Sequence, residues 1–212
     1  MKNKKNIIVS VILVVVSIIY TLLVKYVDVK PIGPNGSSVG FSALNGWFSK
    51  LIGSHMFIYK LSELLGYVLL LLVVIYGAIG VYQLVKRKNP LKVDRQILIL
   101  GGFYVLMLIV YVLFEKLEIN YRPVLVDGVL EASYPSSHTI LSLCVGLTSL
   151  IVSQKYFNKK YIKLISIITI VLMSLVLLLR LLSGVHWISD IIGGVLISLS
   201  LVSIFKTVYF WE

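Results

Sequence analysis

Six long apolar stretches, at residues 7–24, 64–85, 97–114, 139–153, 164–179 and 188–205, leave this chain few ways to fold. A hydrocarbon core of roughly 30 Å is crossed by about 20 residues at helical rise, and in lipid a helix satisfies its own backbone polar groups. The stretches therefore predict six transmembrane helices and an all-α, polytopic membrane protein. Composition agrees: of 212 residues, 58% are hydrophobic and 14% charged, and the mean hydropathy is +0.98. A soluble domain of that size has no core large enough to hold so much apolar surface. The single charged residue inside a stretch is Asp190, near the start of the last one. An ionisable group in a membrane is costly and marks a functional position.

The first stretch follows Met1–Lys5 without a small-x-small cleavage pattern, so it reads as a retained span rather than a signal peptide. No internal repeat or low-complexity segment divides residues 1–212, which read as one six-span domain. Basic residues collect in three places: Lys2, Lys4 and Lys5; Lys86, Arg87, Lys88, Lys92 and Arg95; and Lys155, Lys159, Lys160 and Lys163. All three fall on one side of a six-span chain, and short cytoplasmic loops hold the excess of lysine and arginine. The expectation is a multi-pass protein of the cell membrane with both termini cytoplasmic. Topology thus accounts for most of the net charge of +11 without nucleic acid as a partner. Cys144 is the only cysteine, so no intrachain disulfide forms, and its place in the fourth span reads as a small buried apolar side chain.

The opposite, extracytoplasmic side receives residues 25–61, 115–137 and 180–187. In the first of these, a turn-rich Pro31–Gly36 run precedes Phe41, Leu44, Trp47, Phe48, Leu51 and Ile52, which recur at three- and four-residue steps. That spacing predicts a short amphipathic helix, lying either in the headgroup layer or across the end of the bundle. Gly66, Gly77, Gly80, Gly193 and Gly194 inside the spans predict close helix contacts. His55 stands alone among polar neighbours and reads as interfacial.

Residues with chemistry in them concentrate in the other two outer segments. Tyr121-Arg122-Pro123, Tyr134-Pro135-Ser136-Ser137-His138 and the run Arg180 to Asp190 each lie at a helix boundary. Arg122 and Arg180 offer planar forks of donors suited to phosphate oxygens. Pro135-Ser136-Ser137 resembles a helix amino terminus, where free N–H groups and the helix dipole favour an anion, and the Ser136 and Ser137 hydroxyls serve either as donors or as caps. His186 and Asp190 are four apart, hence on one helical face, so the carboxylate can fix one imidazole nitrogen and leave the other as a nucleophile. His138 is the second of only three histidines, and on the same side. The carboxylates Glu115, Glu118, Asp127 and Glu131 are scattered and read as solvated loop charges; no close cluster for a metal ion appears.

These pieces resemble the three motifs of the type 2 phosphatidic acid phosphatase superfamily, Lys-x6-Arg-Pro, Pro-Ser-Gly-His and Ser-Arg-x5-His-x3-Asp. The third is matched by Arg180, His186 and Asp190 with Leu179 in the serine position; the second by Pro135, Ser136 and His138 with Ser137 in the glycine position. In the first, Arg122-Pro123 is present, but the lysine position holds Glu115 and Lys116 comes one residue late, with Lys60 as a possible substitute. The resemblance implies a six-span core and a metal- and cofactor-free phosphatase acting on a membrane lipid. In it His186 forms a phosphohistidine, Asp190 orients His186, His138 protonates the leaving oxygen, and Arg122, Arg180, Ser136, Ser137 and Lys116 hold the phosphoryl group. Substrates compatible with the family are isoprenyl diphosphates such as undecaprenyl diphosphate, phosphatidic acid and phosphatidylglycerol phosphate. The altered motif positions leave a second reading open, a lipid-phosphate binding or transport protein without catalysis. Oligomeric state is not readable from the chain.

Overall fold

The computed structural model describes residues 2–211; Met1 and Glu212 of the proposed domain, and the side chain of Lys2 in the first basic cluster, lie outside the described residues. Seven α-helices are seen among the described residues: α1 Lys2–Tyr26, α2 Ser42–Ile52, α3 Met56–Arg87, α4 Arg95–Leu117, α5 Ser137–Tyr156, α6 Lys159–Leu182 and α7 Ile188–Tyr209. All but α2 are long and apolar enough to cross a bilayer, so the chain is an all-α, multi-pass membrane protein with six spans. Strand pairing is limited to isolated bridges in the loops.

Two helices form the centre. In α5 and α7, 61% of the most apolar window is buried, against 11% to 22% in the other four spans. Their sequences show why. α5 is the least apolar span, and its buried Ser142 and Thr148 hydroxyls donate to the carbonyls of Thr139 and Cys144 one turn back. Such hydroxyls would be exposed to lipid on an outer helix. Between helices, lipid supplies little hydrophobic drive, so small residues and hydrogen bonds bring them together. α1 lies along α7 on that basis: Ser17 Oγ is 2.7 Å from Ser200 Oγ, and Ser10 Oγ is 2.8 Å from Ser203 Oγ. A Cβ on Gly194 would sit 2.9 Å from Thr139 Cβ, and one on Gly193 would overlap the Tyr134 ring. Gly80 and Gly66 are similarly approached by Ile97 and His138. Gly77 is different: nothing lies within 4 Å of a Cβ built there, so the close-contact expectation fails at that position, which faces an open apolar groove between α3 and α4. Cys144 is fully buried in the apolar centre, as its position in the fourth stretch implied.

The helices overrun the apolar stretches, most at α3, which begins at Met56 rather than at residue 64. Hydropathy marks the part of a helix that meets lipid, not the turns beyond it. The extra turns carry Tyr59, Lys60 and Glu63 up to the mouth of the bundle. The amphipathic helix is present as α2, but it packs by its polar side: Ser42 and Asn45 are buried while Leu44, Trp47 and Leu51 point outward. The helix crosses the end of the bundle against α7 and leaves these apolar residues outward. The turn after α2 braces the α6–α7 connection, where His55 N–H donates to Ser183 O at 2.8 Å.

Candidate active site

Three segments meet at one end of the bundle, and each is held by its own local chemistry. The first, between α4 and α5, is an irregular hairpin. Tyr121 bridges Ala132, Val126 bridges Val129, and Asp127-Gly128 turn the chain with φ of 50° and 80°. An Asp-Gly pair with both φ positive is the preferred two-residue hairpin turn. The hairpin lays Arg122 over the mouth, almost fully buried, with Nε 2.9 Å from Glu131 Oε2 and the guanidinium 5.6 Å from the Tyr59 ring centre. Glu131 is thus an ion-pair partner of Arg122, a correction to its reading as a solvated loop charge; the pairing arises because the two residues face each other across the hairpin, where Arg122 N–H donates to Glu131 O at 3.0 Å.

The second segment starts α5. Ser136 occupies the cap position, its backbone N–H donating to Asp190 O at 3.1 Å, which ties the beginnings of α5 and α7 together. Its hydroxyl makes no cap bond. Fully buried, Ser136 Oγ has no partner among the described residues, and neither has His138 Nδ1 in the first turn. Ser137, at the first helical position, is half-buried.

The third segment is the α6–α7 turn. Arg180 has 0% of its surface exposed, and none of its three nitrogens makes a hydrogen bond among the described residues. It stacks 4.6 Å over the Tyr59 ring, and its Nη2 is 3.8 Å from Glu63 Oε1. Gly184 then takes φ +63°, pressed so close to Gly53 that a Cβ would collide with the Gly53 carbonyl. Gly184→Ala combines a left-handed backbone with a backbone clash, and is expected to cost on the order of 3 kcal/mol. A fall in the apparent melting temperature in detergent checks it. Beyond the turn, Asp190 Oδ2 accepts from Trp187 N at 3.0 Å, closing the start of α7, and lies 3.6 Å from His186 Nδ1. On the other side of the ring, His186 Nε2 is 3.5 Å from Arg122 Nη1.

His186 therefore sits between a carboxylate and a guanidinium. Burial, with Arg122 and Arg180 close by, holds its imidazole well below the usual histidine range, so the ring is neutral and one nitrogen keeps its lone pair. Two buried guanidinium groups, a helix amino terminus and unpartnered donors thus share one mouth, a set of groups whose chemistry suits a tetrahedral anion. Among the described residues no three His, Cys, Asp or Glu side chains gather to hold a metal ion. Lys116 is exposed in the last turn of α4, with no hydrogen bond or ion pair to these groups, and Lys60 is likewise exposed on α3. Sequence reasoning missed Tyr59, Glu63 and Asn120. The first two lie one helical turn apart, at the four-residue spacing of one face, but only the extension of α3 gives that spacing meaning.

From His138 a groove of about 400 Å³ runs between α3, α4 and α5, lined by Tyr67, Leu70, Met107, Leu108, Tyr111 and Leu141. Tyr67, Leu108 and Tyr111 are exposed, so the groove opens on the apolar flank of the bundle.

The sequence profile of the PAP2 superfamily matches residues 64–212, which hold all three segments. No curated protein matches the chain. Among solved structures, the fold is similar to that of a transmembrane PAP2-type phosphatidylglycerolphosphate phosphatase from Bacillus subtilis, with a TM-score of 0.58 and 21% identity over 93% of this chain and 94% of the other. With residues 64–212, the larger part of its length, matched, this chain belongs to the PAP2 superfamily.

Proposed function

We propose that this protein hydrolyses a lipid phosphate or diphosphate, without a metal ion, through a phosphohistidine on His186. The observation that carries the reading is the wedging of a neutral, buried imidazole between Asp190 and Arg122, beside the under-bonded guanidinium of Arg180. Membership of the PAP2 superfamily supports phosphatase activity on lipid substrates.

In this reading Asp190 Oδ2 accepts the Nδ1 proton of His186, and the Nε2 lone pair attacks phosphorus. The N–P bond forms as the bond to the lipid oxygen breaks, and His138 gives its proton to that oxygen. Water then attacks the phosphohistidine in line, losing a proton to His138, and inorganic phosphate leaves with His186 restored. Arg122, Arg180 and the Ser136 and Ser137 donors at the start of α5 stabilise charge on the phosphoryl oxygens, the dominant contribution in phosphoryl transfer. Lys116 joins them only by reaching over from the rim. The side groove at His138 takes the first part of the lipid tail, so that the head group reaches the mouth without the tail leaving the membrane. The basic clusters lie at the opposite end, which supports a site on the extracytoplasmic face with cytoplasmic termini.

Undecaprenyl diphosphate, phosphatidic acid and phosphatidylglycerol phosphate are the substrates to compare, the last because the Bacillus subtilis structure is of a phosphatase named for it. The test is phosphate release from each in detergent with excess chelator, together with acid-labile, alkali-stable labelling of the protein from a radiolabelled substrate phosphate. Turnover under chelator with such labelling is expected. Tight binding of a lipid phosphate with neither turnover nor labelling would instead establish the binding or transport protein that the altered motif positions leave open.

A further inference from the structure

We propose that Asn120, held in place by the turn from Gly40 to Asn45, is a positioning residue for the Asp190 carboxylate. This makes the turn into α2, with the first turn of α2 itself, a working part of the site, although both precede the residues matched by the family. The inference rests on the phosphohistidine reading above.

Asn120 is fully buried, and its Oδ1 accepts the Gly40 N–H at 3.0 Å. That bond settles which way the amide faces: the oxygen is toward Gly40, and Nδ2 is toward Asp190 Oδ1 at 3.4 Å. A second donor, Ser189 Oγ, lies 3.5 Å from the same carboxylate oxygen. Its own orientation is imposed by Asn45, equally buried, whose Nδ2 donates to Ser189 Oγ at 2.9 Å and to Gly40 O at 2.7 Å, and whose Oδ1 accepts Ser189 N at 3.2 Å. Since Ser189 Oγ is already an acceptor from Asn45, its hydrogen is free to point at Asp190. Gly40 cannot withdraw from this arrangement, because it is packed so tightly on the end of α1 that a Cβ would collide with the Val24 carbonyl.

The consequence is a carboxylate pinned at both oxygens. Oδ1 meets Asn120 and Ser189, Oδ2 meets the Trp187 N–H, and the remaining direction of Oδ2 is His186 Nδ1. An imidazole presents the right nitrogen only while its partner stays put, and a buried carboxylate lacking donors on one oxygen rotates to find them. The backbone alone holds Oδ2 by a single bond. Asn120, with Ser189 beside it, supplies the restraint on the far oxygen, and none of Arg122, Arg180, Ser136, Ser137 or His138 does.

The test is a double-mutant cycle on phosphate release in detergent, with wild type, N120A, D190A and N120A/D190A, using whichever lipid phosphate the wild type turns over. In N120A, kcat is expected to fall roughly 10-fold to 100-fold with KM held within about 2-fold, the loss of one hydrogen bond to a charged group. In the D190A background the same substitution is expected to change kcat by less than about 2-fold, because its effect passes through the missing carboxylate. An undiminished kcat in N120A, a loss confined to KM, or an equal fractional loss in both backgrounds overturns the inference. If N120A is not recovered folded, Asn45→Ala is read in the same cycle against the same expectations. Full activity of D190A, or no phosphate release by the wild type, sinks the phosphohistidine reading itself. With both controls in order, the asparagine variants decide this inference alone.

Discussion

Replacing His186 by alanine is expected to lower phosphate release by at least about 10⁴-fold and to abolish labelling of the protein by substrate phosphate. The magnitude follows from the role: without the imidazole no side chain between Arg122 and Asp190 can accept the phosphoryl group, and the two arginines still bind it but have nothing to pass it to. Stability should change little. The His186 ring meets Arg122 and Asp190 at 3.5 and 3.6 Å, and hydrogen bonds that shape the turn run through Ser183, Trp187 and Asp190 instead. Lipid-phosphate binding should survive in His186→Ala at near wild-type strength. Turnover retained by this variant would show that the imidazole is not the acceptor, and the reading would have to be rebuilt around His138.

The second large effect is at Arg180. A fully buried guanidinium with no hydrogen bond, stacked on Tyr59 and only 3.8 Å from one carboxylate, is a destabilising element in the free protein. Replacing such a buried ionic group by an apolar side chain of similar volume is often neutral or favourable, by roughly 1–4 kcal/mol. Arg180→Leu is therefore expected to raise the apparent melting temperature or leave it unchanged, while kcat/KM falls about 10³-fold through loss of charge on the phosphoryl oxygens. Inorganic phosphate or a stable analogue should raise the melting temperature of the wild type and not of the variant, since a ligand stabilises only what binds it. A variant both less stable and equally responsive to phosphate would contradict this account of Arg180. Stability kept or gained while activity falls would be the usual trade between folding and function.

How much of this was legible beforehand depends on the physics behind each feature. Spans were readable because bilayer thickness imposes a length and an apolar composition on every crossing, and the start of α7 stood out through Asp190. The motif residues were readable because phosphate chemistry draws on a short list of side chains, and these occurred at helix boundaries on one side. What sequence could not show was pairing. Glu131 became a partner of Arg122 only because an Asp127-Gly128 turn folds the loop back on itself, and Glu63 reached Arg180 only because α3 continues beyond its apolar stretch. Asn120 in a loop and Asn45 in α2, two ordinary polar residues more than seventy positions apart, carry no local signal at all. The inverted packing of α2 and the open space at Gly77 likewise depend on what stands opposite.

The amino-acid order alone determined that this chain spans a membrane six times, with its basic loops on one side and its phosphate-suited residues on the other. That much follows from transfer free energies, which act on each segment without regard to its neighbours. Tertiary structure alone decided which donors are left unpartnered, how Asp190 is held against His186, and where an apolar groove runs from His138. Those outcomes depend on distances of a few ångströms between segments remote in the chain, and only the packing of α5 and α7 within the other helices sets them.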